Sequence, residues 1–480
     1  MAAWVLISGG NVIDGTGAAP REGHDVLLKG DVIVEIASGI DPERVVPRGE
    51  ALERVDATGR TVMPGLIDGH CHTSFGEVRM QEEQCLYTSH ELRVIRSATN
   101  LPRILRAGVT SISVPGGSYF IDVGLREGVK EGILKGPRMA CASRFLSTDT
   151  GIGSYYPSSV GNPEGSVGKV VNTTDEMQRE VLFQVKGGVD LIKIGDSVMG
   201  EWEAFSADEM KVICDTAHRH NKKVTIHARG SKNVDNAIAA GVDWIMHANI
   251  MTDETIERLA DSKIPLCPVI LLLANIVDFG HIIGIPIAKR ETYERLLDQA
   301  ADVYHKAKAA GVTFISGTDS GFAHTLIGEW HARELELLVT YVGLTPLEAI
   351  RAATKDCAVT LCGLENVGSL EPGKGADLLV VRGDPSRDVR VLQDKANIER
   401  VISRGSEATF DPEQLATRHP YNRAQHIAPS EVSFDAVFGR ADFETLDGIG
   451  VDDERTHDIV HDLKAAGQAV RDANDHHARK

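Results

Sequence analysis

Aromatic side chains are scarce in this chain, basic residues are outnumbered, and no apolar run is long enough to cross a bilayer. Each shortage excludes something. Aromatics make up 5% of the 480 residues, so the core must be mainly aliphatic. Lys and Arg number 51 against 69 Asp and Glu, a net charge of −18. That balance argues against nucleic acid as a partner, because phosphate binding needs a basic surface. No apolar stretch approaches the ~20 residues of a spanning helix, so no membrane partner is expected. The seven cysteines are scattered and none forms a C-x-x-C pair. They read as free thiols of a reducing compartment, not as a disulfide framework. The opening MAAWVLISGGNVIDG lacks the basic region and long apolar core of a secretory signal. The cytoplasm is therefore the expected location.

Hydrophobic residues at 42% and charged ones at 25% describe an ordinary globular protein. The length exceeds one typical core and predicts a large domain with a smaller companion. The segments VLISGG, NVIDG, DVLLKGDVIVEIAS and RTVMPG read as short strands between Gly, Asn and Asp turn signals. The same texture returns in VGSLEPGKGADLLVVRGD and NIERVISRG. One small β-sandwich domain built from both chain ends, residues 1–63 and 364–410, is the expectation.

Between them, over 64–363, apolar strands alternate with helices. GVTSISV, PRMACAS, DLIKIG, KVTIHA, DWIMHA and VTFISGTD are near-continuous apolar runs, as in a parallel sheet covered on both faces. SADEMKVICDTAHRH predicts a helix with Ser206 as N-cap and Asp208 and Glu209 in its first turn. A second helix runs through TYERLLDQAADVYHKAKAAG and ends at Gly311. This repeat fits an α/β fold, a (β/α)8 TIM barrel, with a doubly wound open sheet as the alternative. Residues 411–480 read as an acidic extension with one helical signal, in DDERTHDIVHDLKAAGQAVRDAND.

The sharpest chemical signal is GLIDGHCHTS. In a strand, residues two apart point the same way, so His70 and His72 can meet one metal while Cys71 turns aside. His218 and His220 share the spacing but sit at a helix end, where a solvated surface is the expectation. Lys193 lies within DLIKIG, where burial without a partner is costly; it either reaches the rim, pairs with Asp196, or carries a carbamate. His227 ends KVTIHA and His247 ends DWIMHA, and two such histidines on successive strands favour ligands. Asp319, ending FISGTD, is either a helix N-cap or a metal-bound carboxylate that takes a proton from an attacking water.

In this order and spacing the residues resemble the amidohydrolase superfamily, over about Leu6 to Gly405. GLTPLEAIRAAT and VGSLEPGKGADLLVVRGDP are similar to that family's closing helix and its return to the β-sandwich. The resemblance implies two divalent metal ions, most often Zn2+. His70, His72 and Asp319 would hold the more buried ion and His227 and His247 the more exposed one. Lys193, carrying a CO2-derived carbamate, would bridge them. A hydroxide between the ions would attack a carbonyl carbon, and Asp319 would relay its proton to the leaving group. Asp319 and Lys193 are thus the catalytic expectations.

The finer resemblance is to the branch holding Xaa-Pro dipeptidases, imidazolonepropionase-like enzymes and hydrolases of N-acyl amino acids, ureas and carbamates. Here the chain departs from many relatives. Arg229 replaces a second histidine two residues after the strand-five ligand, and no Gly-Gly-His-Gly pattern appears near the long loop that follows the strand around Met139 to Ser143. Arg229 would either grip a substrate carboxylate bidentately or pair with an acid at the rim. Asn249 would face a substrate carbonyl. The loop TDTGIGSYYPSSVGNPEGS, with Tyr155 and Tyr156, suits a substrate wall. His324 would approach the substrate, whereas His331 reads as a solvated helix position. The expected partner is a small-molecule substrate, carboxylate-bearing in the first instance, and the chain is expected to form a closed homo-oligomer. A deaminase of a cyclic amidine and a non-catalytic scaffold remain the alternatives.

Overall fold

The computed structural model describes residues 4–78 and 83–416. The helical signal expected in 452–475 lies outside those residues. Strands from the two chain ends do share one sheet. Its members are β1 (Trp4–Val12), β2 (Arg21–Lys29), β3 (Val32–Ala37), β4 (Leu52–Asp56) and β5 (Arg60–Pro64) from the start of the chain. The 378–382, 398–403 and 406–407 strands join it from the other end, with Leu378 opposite Pro64. Val5, Ile7, Val26, Leu28, Val62, Leu378 and Val380 form its aliphatic core. This fits the scarcity of aromatics.

Parallel pairing takes over past Pro64. β6 (Leu66–Asp68), β7 (Val109–Val114) and β8 (Arg138–Cys141) form one run. β9 (Phe145–Ser147), β10 (Gly168–Val170), β11 (Leu191–Gly195), β12 (Lys223–Gly230), β13 (Trp244–Ile250) and β14 (Leu266–Cys267) form another. Two seams join the runs. Asp190 N–H donates to the Cys141 carbonyl at 2.8 Å. On the other side Leu266 N–H donates to Thr313 and Ile315 N–H to Leu266, both at 2.9 Å, and Gly69 N–H donates to Ser316 at 3.0 Å. The expected strand VTFISGTD is held by these single bridges and not by a continuous ladder, yet it links β14 to the end of β6.

Helices cover the outside of these strands. Ser206 caps the helix Ala207–His218 in a reciprocal box with Glu209, satisfying N–H groups that the first turn leaves free. The helix through Tyr293 begins at Ile287, earlier than its polar pattern suggested, because Pro286 sits just before it. It ends at Ala309, and Gly311 follows in the left-handed region at φ 88°. His218 is a surface residue paired with Asp243 at 2.9 Å.

Candidate metal centre

The residues with chemistry gather where the strands end. Asp68, the last residue of β6, accepts the His70 N–H at 3.0 Å and the Thr318 N–H at 3.1 Å. It thereby ties the chain carrying His70 and His72 to the chain carrying Asp319. The two imidazoles then converge, Nε2 to Nε2 at 3.0 Å. Asp319 Oδ1 lies 3.3 Å from His70 Nε2 and 2.9 Å from His72 Nε2. Cys71, as its alternate position requires, packs into the apolar core.

Backbone geometry at the site is strained. Asp319 has φ 55° and His247 has φ 72°, a left-handed region that costs a residue with a Cβ free energy. Neither is a helix cap. Tyr304, buried, donates its O–H to the His247 carbonyl at 2.8 Å and helps to hold that turn. The His247 ring lies 4.3 Å from that of His227 and 5.6 Å from that of His70, centre to centre.

Protonation follows from burial. Removal from water holds His70, His227 and His247 well below the usual imidazole range, so they are neutral. Burial alone would push the Asp319 carboxyl up, but His70, His72 and Lys193 outweigh it and keep the group ionised. Lys193 is buried, and its ammonium is pushed down to about 7. Its Nζ meets the Met246 sulfur. It neither reaches the rim nor pairs with Asp196, which is occupied by Ser197, Ala204 and Asn233.

A divalent ion fits this donor set. Among the described residues, His70, His72 and Asp319 are the one group of three or more His, Cys, Asp or Glu side chains close enough to share an ion. Their ligand atoms stand 2.9–3.3 Å apart, near the ~3.3 Å edge of a tetrahedron with ~2.0 Å bonds to zinc. His72 Nδ1–H donates to the Gly116 carbonyl at 2.7 Å, so Nε2 is the nitrogen turned toward the candidate ion site. His70 Nδ1 and both nitrogens of His247 are buried without partners, an uncommon state for polar atoms.

Beyond this cluster, Arg229 is 7% exposed and makes no ion pair among the described residues, although the charges of Asp319 and Glu201 reach it. Its Nη1 donates to Asn249 Oδ1 at 2.9 Å, which corrects the alternative of a rim ion pair. Arg229 Nε and Asn249 Nδ2 have no partner. His324 stacks on Phe322 at 5.9 Å with its Nε2 buried and unpartnered, and burial pushes its pKa down to about 4. Tyr155 packs against the cluster of Phe75, Phe145 and Val167, while Tyr156 is half-buried near Cys85. Phe75 in turn stacks on His72 at 4.0 Å.

His331 corrects an expectation. It is 2% exposed, not solvated, and its Nδ1 meets Asp68 Oδ2 at 2.7 Å. Asp68 was legible as an acid inside the apolar run before His70, but nothing local linked it to His331. Tyr304 carried no sequence signal either.

Similarity to known proteins agrees with this geometry. The signature of the amidohydrolase family matches residues 61–408. The chain belongs to the amidohydrolase family. It is 27% identical to the ochratoxinase of Aspergillus niger over 426 residues, 83% of this chain and 85% of the relative. Similarity to the imidazolonepropionase of Geobacillus kaustophilus is 26% over 423 residues, 80% of this chain and 91% of the relative. The crystal structure of a Xaa-Pro dipeptidase with methionine in its active site superposes with a TM-score of 0.74 at 26% identity, covering 85% of this chain and 100% of that one. This amidohydrolase therefore has a TIM-barrel-type α/β fold and is a hydrolase of carbon–nitrogen bonds. No helix among the described residues is long and apolar enough to cross a membrane.

Proposed function

We propose that this amidohydrolase cleaves the amide-type C–N bond of a small carboxylate-bearing molecule, in the class of N-acyl amino acids, dipeptides, ureas and carbamates. The observation that carries the reading is the convergence of His70 Nε2, His72 Nε2 and Asp319 Oδ1 beside the neutral pair His227 and His247. We take residues 64–363 as a (β/α)8 barrel and residues 1–63 with 364–410 as its companion β-sandwich.

His70, His72 and Asp319 would hold the more buried ion, and His227 and His247 the more exposed one. When bound, two divalent ions, of which zinc is the first candidate, supply hydroxide at neutral pH and polarise the scissile carbonyl. Four imidazoles with carboxylate oxygens suit such borderline ions better than calcium or magnesium. Lys193, lowered to about 7, is in good part a free amine at neutral pH. A free amine can attack CO2 and release one proton, and the anionic carbamate so formed on Lys193 would supply oxygen ligands to the ions.

Asp319 then works as a proton carrier. Ionised and buried, its carboxylate accepts a proton from the nucleophile and delivers it to the leaving nitrogen, which departs as an amine. Arg229 and Asn249 hold donors with no internal acceptor, so a substrate carboxylate would satisfy both. His324 and Tyr155 would border the substrate, with Tyr156 further out along the same loop.

The test is a hydrolysis screen of N-acyl amino acids, dipeptides, ureas, carbamates and lactones with the zinc-reconstituted enzyme. Carboxylate-bearing amides should turn over, and chelation should stop the reaction. Turnover that survives both chelation and Asp319→Asn would refute the reading. Ammonia release from a cyclic amidine by protein holding one ion would support a deaminase instead.

A further inference from the structure

A histidine that ligates a metal offers one nitrogen to the ion, and whatever binds the other nitrogen sets its tautomer and ring angle. For His72 that partner is the Gly116 carbonyl. For His227 it is the carbonyl of Val198, 3.1 Å from Nε2. Val198 belongs to no helix or strand. It lies in the connection 196–206, which leads from β11 to the helix Ala207–His218.

Such a connection holds one carbonyl steady only if it is pinned, and here it is pinned at several points. Asp196, 0% exposed, accepts the N–H groups of Ser197 at 2.8 Å and Ala204 at 2.7 Å, drawing the two ends of the connection together. Its other oxygen accepts from Asn233 Nδ2 at 3.0 Å. The same amide donates to the Trp202 carbonyl at 2.8 Å, as does Ser197 Oγ at 2.7 Å. At the middle, Gly200 has φ +79°, and a Cβ there would stand 2.4 Å from the Gly230 nitrogen. Gly230 ends β12, three residues after His227, so the connection rests directly on the strand that carries the ligand.

Asp196 is a buried carboxylate for which the chemistry above has no use. We propose that Asp196 and Asn233, with the Gly200–Gly230 contact, form a latch that positions His227 through the Val198 carbonyl. Retention of the exposed ion then depends on this connection. The inference rests on reading His227 as a ligand. His70 and His72 lie outside the latch, because their orientation comes from Asp319 and Gly116. These are positioning residues, and the latch predicts an unequal effect on the two sites.

The test uses metal-free full-length protein with 15N-labelled histidine, in which long-range 1H–15N spectra report each tautomer. His227→Gln identifies the His227 signal by its loss. Wild-type His227 should carry its proton on Nε2, and His72 should keep a proton on Nδ1. In Asn233→Ala, and independently in Gly200→Ala, the His227 signal should move toward mixed tautomers while His72 stays unchanged. Zinc competition should then show the weaker site losing on the order of 10–100-fold in affinity, with the tighter site unaltered. An unchanged His227 tautomer in the folded variants, or equal loss at both sites, overturns the latch. A wild type that binds one zinc refutes the two-ion reading, and the tautomer comparison still decides the latch.

Discussion

The His331 imidazole donates from Nδ1 to the Asp68 carboxylate at 2.7 Å, while its Nε2 accepts the Gly328 N–H at 2.9 Å. Both ring nitrogens are thus engaged, and the ring is the neutral Nδ1–H tautomer. Asp68 also accepts the N–H groups of His70 and Thr318. One buried imidazole therefore completes the carboxylate that holds two parts of the candidate metal site together. His331→Ala should cost about 1–3 kcal/mol of stability, the penalty for leaving a buried acceptor short of a donor. Thermal denaturation measures that cost. Zinc titration should show the His70 and His72 site weakened as well, and unchanged stability and affinity would refute the linkage.

Lys193→Ala removes the proposed bridge between the two ligand sets. Bound metal, measured by elemental analysis, and turnover should both fall sharply. Added short carboxylic acids should restore part of the activity by standing in for the missing carbamate. Undiminished turnover would sink the bridging role.

Asp319→Asn is a clean test because asparagine tolerates a left-handed backbone such as the φ of 55° found here. The fold and some metal should survive. Turnover should drop by about 10²–10⁴-fold, the usual worth of a positioned proton carrier.

Arg229→Ala should raise KM selectively for carboxylate-bearing substrates. A lost charge-assisted hydrogen bond is worth about 1.5–3 kcal/mol, or roughly 10–100-fold in kcat/KM. Paired assays of an acid and its neutral amide measure this. Equal effects on the two would eliminate the clamp.

Glu334 gives the protein a pH dependence of its own. Burial pushes its carboxyl up to about 8, against the pull of the Ile270 and Leu271 N–H groups at 2.9 and 2.8 Å. The folded state therefore keeps a proton that the unfolded chain releases near its ordinary value of 4.5. That contribution to stability is complete below about 4.5 and is lost as pH rises through about 8. Melting temperature should decline over that window, and Glu334→Gln should flatten the decline. An equal slope in the variant would assign it to other groups.

Much of this protein was written in local pattern. Alternation and apolar runs disclosed the end strands and the parallel ones, since side-chain period and burial of both faces are properties of a few consecutive residues. Ser206 and Glu209 announced a helix start because a capping box closes within one turn. His70 and His72 were legible as a pair two apart at the end of an apolar run, although β6 itself stops at Asp68 and the Cys71–Ser320 bridge carries the extended direction past it. What tertiary structure decided was every pairing across the ring of strands. The approach of Asp319 to His70 and His72 spans some 250 residues and depends on the seam between 313–320 and β6. That Arg229 donates to Asn249, that His331 turns inward to Asp68, and that a loop carbonyl meets His227 Nε2 are likewise contacts between distant segments. Periodicity places a side chain on a face, but the neighbour that neutralises, orients or strains it comes only with the closed fold.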